Sequence, residues 1–80
     1  MTNSLLRSRL IQIFMRRFNL SETQALSATI KSTEGWDSFT HMDLMLELES
    51  DFELKQLSGD DFANLVSFEA IFEYLGKVRN

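Results

Sequence analysis

Residues 35–52 read Gly35-Trp36-Asp37-Ser38-Phe39-Thr40-His41-Met42-Asp43-Leu44-Met45-Leu46-Glu47-Leu48-Glu49-Ser50-Asp51-Phe52. The glycine ends a loop, Asp37 is suited to cap a helix, and the pattern predicts a helix from Asp37 to about Asp51 or Phe52. Stepped at about 100° per residue, the helix divides into three sectors. Leu44, Met45, Leu48 and Phe52 make a core face. Asp43, Glu47 and Asp51, at i, i+4 and i+8, make an acidic ridge. Phe39, Met42 and Leu46 make a second apolar stripe on the far flank of that ridge. A helix that serves only its own core needs one apolar face. The extra stripe, rimmed by acids, is either wrapped by the rest of a small bundle or left as a docking surface. His41 falls on the core side of the first turn, where a buried, hydrogen-bonded imidazole is expected.

Working outward, the flanking segments are helical as well. Asn3 or Ser4 can cap a first helix that runs to about Phe18, with Leu6, Leu10, Ile13, Phe14 and Phe18 on one face and Arg9 and Arg16 opposite. This arginine-rich start also has the composition of a transit peptide, but its removal would strip away one of the longest apolar faces. Residues 19–37 form a long connection. Ser21-Glu22-Thr23-Gln24 has capping-box spacing for a short helical piece, and Leu26 and Ile30 can hold the segment to the core. Connections of this length in small domains usually carry function. Ser58-Gly59-Asp60-Asp61 opens a short helix with Phe62 and Leu65 inward. Ser67 caps a last helix striped by Phe68, Ile71, Phe72, Leu75 and Val78. Proline is absent, and no segment sustains a period of two. The expected fold is all-α: a small bundle of three main helices plus one short helix, residues 1–80 forming a single domain.

Composition narrows the function. The 80 residues include 44% hydrophobic and 25% charged residues, so the chain is not of the disordered type. There is no cysteine and one histidine, which excludes thiolate metal sites and argues against zinc or Ser-His chemistry. No apolar run is long enough to span a bilayer. The net charge of −4 disfavours non-specific nucleic-acid binding. That charge is uneven: Arg7, Arg9, Arg16 and Arg17 precede the first acid, while no basic residue falls between Lys31 and Lys55. The acidic segment is either a solvated face or a source of potential that steers a basic partner. No paired carboxylates, glycine-rich phosphate loop or nucleophile–base pair is evident, so no catalytic residue and no metal site is expected.

Gly35-Trp36-Asp37-Ser38-Phe39 reads equally as an ordinary helix start and as a functional motif. It resembles the acyl carrier protein family, which includes peptidyl carrier domains. Members carry Gly-x-Asp-Ser-Leu at the start of their second helix, followed by an apolar and acidic helix. Gly35, Asp37 and Ser38 match that motif, Trp36 matches a tryptophan-containing variant of it, and Phe39 stands in place of leucine. The run from Met42 to Glu49, with Phe52, follows the family pattern, and the likeness covers nearly the whole chain apart from the loop at 19–33.

The resemblance implies a protein that is not itself an enzyme. Ser38 would carry 4'-phosphopantetheine, transferred from coenzyme A by a separate phosphopantetheinyl transferase; Asp37 would cap the helix, hold Ser38 exposed and help the transferase recognise the site, and Gly35 belongs to the same cofactor-binding motif. With no thiol in the chain, thioester chemistry would come from the prosthetic arm. Phe39, Met42, Asp43, Leu46, Glu47 and Glu49 would form the face that meets basic patches on acyl- or aminoacyl-loading and acyl-processing enzymes. The expected carrier is cytoplasmic and monomeric, binds neither nucleic acid nor membrane, and serves a dedicated lipid, polyketide or aminoacyl pathway. Such a family member would also shelter cargo between Phe62, Leu65, Ile71 and Phe72 and the inner face of Leu44, Met45 and Leu48. The competing reading is an unmodified helical interaction module that uses the acidic helix 37–52.

Overall fold

Side-chain caps set the helix starts in the computed structural model, which describes residues 3–79. The elements are α1 (Asn3–Phe18), α2 (Glu22–Leu26), α3 (Ser38–Asp51), α4 (Gly59–Asn64) and α5 (Phe68–Arg79). Three are long and two short: beyond the expected three main helices and one short one, the helical piece that the capping-box spacing at Ser21 allows is formed as a helix of its own. The Ser21 hydroxyl accepts from Gln24 N while the Gln24 side chain accepts from Ser21 N. That reciprocal capping box is complete enough to hold five residues as α2. Asp37 and Ser58 cap α3 and α4 as expected, and the Ser67 hydroxyl accepts from Ala70 N at the start of α5. At the first helix the expectation shifts. Asn3 and Ser4 both lie inside α1, so neither is its cap, and the cap position falls outside the described residues.

Helices α1 and α3 end alike. Asn19 and Glu53 adopt left-handed φ values of 56° and 53°. Leu20 N then donates to the Met15 carbonyl, and Leu54 N to the Glu49 carbonyl. These are the bonds that satisfy the last orphan carbonyls of a helix, and they favour glycine at the turning residue. Glu53→Gly is therefore expected to stabilise the protein by about 0.5–1 kcal/mol, the relieved strain less the added unfolded-state entropy. Urea unfolding checks it, and a lowered midpoint would count against strain at this turn.

The core gathers Leu6, Leu10 and Phe14 of α1, Leu44, Met45, Leu48 and Phe52 of the α3 segment, and Phe68, Ile71 and Leu75 of α5. Their spacing is the one the helical wheels give. The connection departs from expectation in detail: Ala25 and Ala28 are buried, whereas Leu26 and Ile30 are only half-buried. Small side chains let α2 approach α1 and α5 closely, leaving the larger ones at the margin. An isolated antiparallel bridge, Thr29 with Ser67, stitches the loop to the start of α5 through Ile30 N to Val66 O and Phe68 N to Ala28 O, each 2.9 Å. The loop before α3 is thus held, not loose. At the far end of α5, Val78 is 47% exposed and leaves the core stripe. No helix among the described residues is long and apolar enough to cross a membrane.

Candidate functional site

Ser38 is delivered to the surface by the residues just before it. Gly35 turns the chain at φ +87°, a conformation that L side chains rarely adopt. Trp36 then plunges inward and is 4% exposed. Its ring stacks on Phe18 at 5.3 Å and meets Phe14 edge-on at 5.4 Å. With the loop anchored there, Asp37 adopts extended backbone and its carboxylate accepts from Thr40 N at 2.9 Å. The Thr40 amide holds the Asp37 carboxyl below its usual range.

This division of labour distinguishes Ser38 from the serines at other helix starts. Ser21, Ser58 and Ser67 spend their hydroxyls accepting amide hydrogens at the starts of α2, α4 and α5. At α3 the cap is Asp37, and Ser38 is the exposed first helical residue. Its hydroxyl stands where free amide groups and the helix dipole favour an anion.

Along α3 the second apolar stripe is left uncovered. Phe39 is 84% exposed, Met42 54% and Leu46 57%. Beside it an open cleft of about 440 Å³ is lined by Met42, Met45, Leu46 and Glu49 of α3, Gln56 and Leu57 of the link, and Phe62 of α4. Of the inner positions expected to part for cargo, Leu44 and Ile71 are fully buried and Leu48 is 1% exposed, whereas Phe62 and Phe72 are half-buried and Phe62 and Met45 line this cleft.

The acids of α3 separate into two kinds, which the wheel alone does not distinguish. Asp43 is exposed and has no ion pair among the described residues. Glu47 is half-buried between two arginines of α1. Arg17 donates to its Oε1 from Nε at 3.1 Å and from Nη2 at 2.6 Å, and Arg16 pairs with its Oε2. Burial pushes the Glu47 carboxyl up, but the bonds and charges of Arg17 and Arg16 outweigh it and hold the group below its usual range. Glu49 accepts from Leu57 N at 2.7 Å and ties the following link back to α3. Asp51 offers its backbone carbonyl to Arg9 at 2.7 Å, and the Arg9 guanidinium lies 4.7 Å from the Phe52 ring centre. Of the six residues assigned to partner contact, Phe39, Met42, Asp43 and Leu46 thus face outward, while Glu47 and Glu49 are engaged within the chain. Arg16 and Arg17 border this surface through Glu47, a neighbourhood that the one-helix reading does not find.

Behind the site, His41 is buried at 3% exposure, as expected. It bridges Trp36 and the Phe62 carbonyl. No group of three or more His, Asp or Glu side chains among the described residues could hold a metal ion. Compared with known proteins, the chain matches no family model and no curated sequence.

Proposed function

We propose that the protein is an acyl carrier: a cytoplasmic monomer that holds biosynthetic intermediates as thioesters on a 4'-phosphopantetheine arm at Ser38 and delivers them to partner enzymes. The observation that carries this reading is the exposed Ser38 hydroxyl at the first position of a 14-residue helix, with Asp37 capping in its stead. The residues present fit such a group. The turn at Gly35 and the buried Trp36 fix the approach to the attachment point, and the helix start favours a phosphodiester. When bound, the arm supplies the thiol that a chain without cysteine lacks. The residues of the chain present and orient the arm; catalysis belongs to the enzymes visited. Mass measurement after treatment with coenzyme A and a phosphopantetheinyl transferase tests the reading.

The exposed stripe also suits an interaction module that is never modified, and the same mass measurement separates the two. For a carrier, the stripe and Asp43 meet the partner in different ways. Phe39→Ala is expected to weaken transferase binding about tenfold, chiefly through faster dissociation, because a well-packed aromatic anchor dominates small interfaces. Asp43→Lys slows association instead, and the effect fades as salt rises. Stopped-flow measurements at two ionic strengths tell them apart. Parental kinetics in both variants would place docking elsewhere.

A further inference from the structure

The only histidine and the only tryptophan of the chain touch each other inside the fold. Trp36 Nε1–H can only donate, so His41 Nδ1 accepts from it, at 3.1 Å. The ring proton then sits on Nε2, which donates to the Phe62 carbonyl at 2.7 Å. Phe62 also sets its ring edge-on to the imidazole, 4.6 Å between centres. With the imidazole buried, water does not replace either partner, so both bonds depend on a single tautomer. One ring therefore joins three segments: the loop that delivers Ser38, the first turn of α3, and α4. Besides this bond, α4 is held by the partly buried Phe62 ring, by the Tyr74 hydroxyl, which donates to Asp61 Oδ2 at 3.4 Å, and by the buried Leu65 at its C-cap. The helix is six residues long and none of them is buried. Elements with so little burial open most readily.

We propose that His41 is a positioning residue that keeps the Ser38 turn and α4 in one register, so that displacement of α4 is transmitted to Ser38. It does not touch the reacting hydroxyl. It acts through Trp36 and the first turn of α3. Its consequence for modification rests on the carrier reading, whereas the coupling itself is a property of the fold.

Two measurements test it. In the first, Ser58→Ala removes the α4 cap, and the Trp36 indole N–H resonance is followed in labelled protein. The resonance is expected to shift when His41 is present and to stay in place when Ser58→Ala is added to His41→Leu. In the second, transferase kinetics are measured. His41→Leu is expected to lower kcat for Ser38 modification about fivefold, the factor for one hydrogen bond, with KM unchanged because the docking face is intact. His41→Gln, which retains a donor and an acceptor, is expected to recover most of kcat. An indole resonance indifferent to Ser58→Ala overturns the coupling, and that arm uses native His41, so it holds even if His41→Leu does not fold. Parental kcat in folded His41→Leu, or equal losses in the Leu and Gln variants, overturns the positioning role. If the parent chain is never modified, the carrier reading fails and the indole arm alone decides the coupling.

Discussion

Incubated with coenzyme A and a broad-specificity phosphopantetheinyl transferase, the protein is expected to gain one phosphopantetheine group, and Ser38→Ala is expected to gain none. The loss is complete because attachment needs a hydroxyl that is exposed, fixed and uncommitted. The cap serines Ser21, Ser58 and Ser67 accept amide hydrogens from their own helices, so reacting there would uncap a helix at a cost of about 1 kcal/mol. Ser38 carries no such duty, since Asp37 takes the Thr40 amide. Substitution at Ser38 should leave the fold unchanged, with far-UV circular dichroism and melting temperature close to the parent. Intact mass before and after treatment reads the result. Modification that persists in Ser38→Ala, or never appears in the parent, removes the basis for the carrier reading.

Glu47→Lys is expected to act on stability before it acts on any partner. It deletes the carboxylate that Arg17 grips through two nitrogens and sets a third cation beside Arg16 and Arg17. Arg16 is largely exposed and adds little; Arg17 and Glu47 are mostly covered, with side-chain exposures of 21% and 16%. Hydrogen bonds to charged groups of this kind are worth about 1.5–3 kcal/mol. With repulsion added, a loss of about 2–3 kcal/mol is expected, or roughly 10–20 °C in melting temperature for a domain of this size. Glu47→Gln should lose less, because it keeps the volume and one acceptor. The pH dependence gives a separate check. The folded-state pKa of Glu47 lies below the usual 4.5, so its contribution is fully present above that value and is lost as pH falls through the folded pKa. The stability gap between parent and Glu47→Gln should therefore be widest near neutrality and shrink in acid. A gap that is flat across that range, or a Glu47→Lys protein as stable as the parent, would mean the arginine clamp contributes nothing. Asp43, which has no such partner, is the residue at which charge reversal reports on docking without unfolding.

The caps and faces were legible in the sequence because they are local. Ser21, Asp37, Ser58 and Ser67 each bond to amides within three residues, so a linear pattern contains the whole interaction. The core face of α3 follows from helical periodicity in the same way, and Leu44, Met45, Leu48 and Phe52 are all buried. The motif around Ser38 lies within one turn and its lead-in, and the exposure of Ser38 follows from Asp37 standing before it. Even so, periodicity left open whether Phe39, Met42 and Leu46 were covered. That answer depends on where the other helices run.

From the sequence alone come the all-α class, four of the five helix starts, the inner and outer faces of α3, and the candidate attachment serine. The tertiary structure decided the rest: that the second apolar stripe lies open, that Ala25 and Ala28 outrank Leu26 and Ile30 in the core, and that Glu47 belongs to Arg16 and Arg17. It also decided that His41 spans Trp36 and the Phe62 carbonyl, residues 5 and 21 positions away. Helical spacing tells which side chains leave a helix on one side, because that depends on a rotation of about 100° per residue. It carries no information on which helix crosses that side or at what height. The pairing of α1 arginines with an α3 carboxylate 30 and 31 positions away is set by that crossing, and so is the surface a partner would meet.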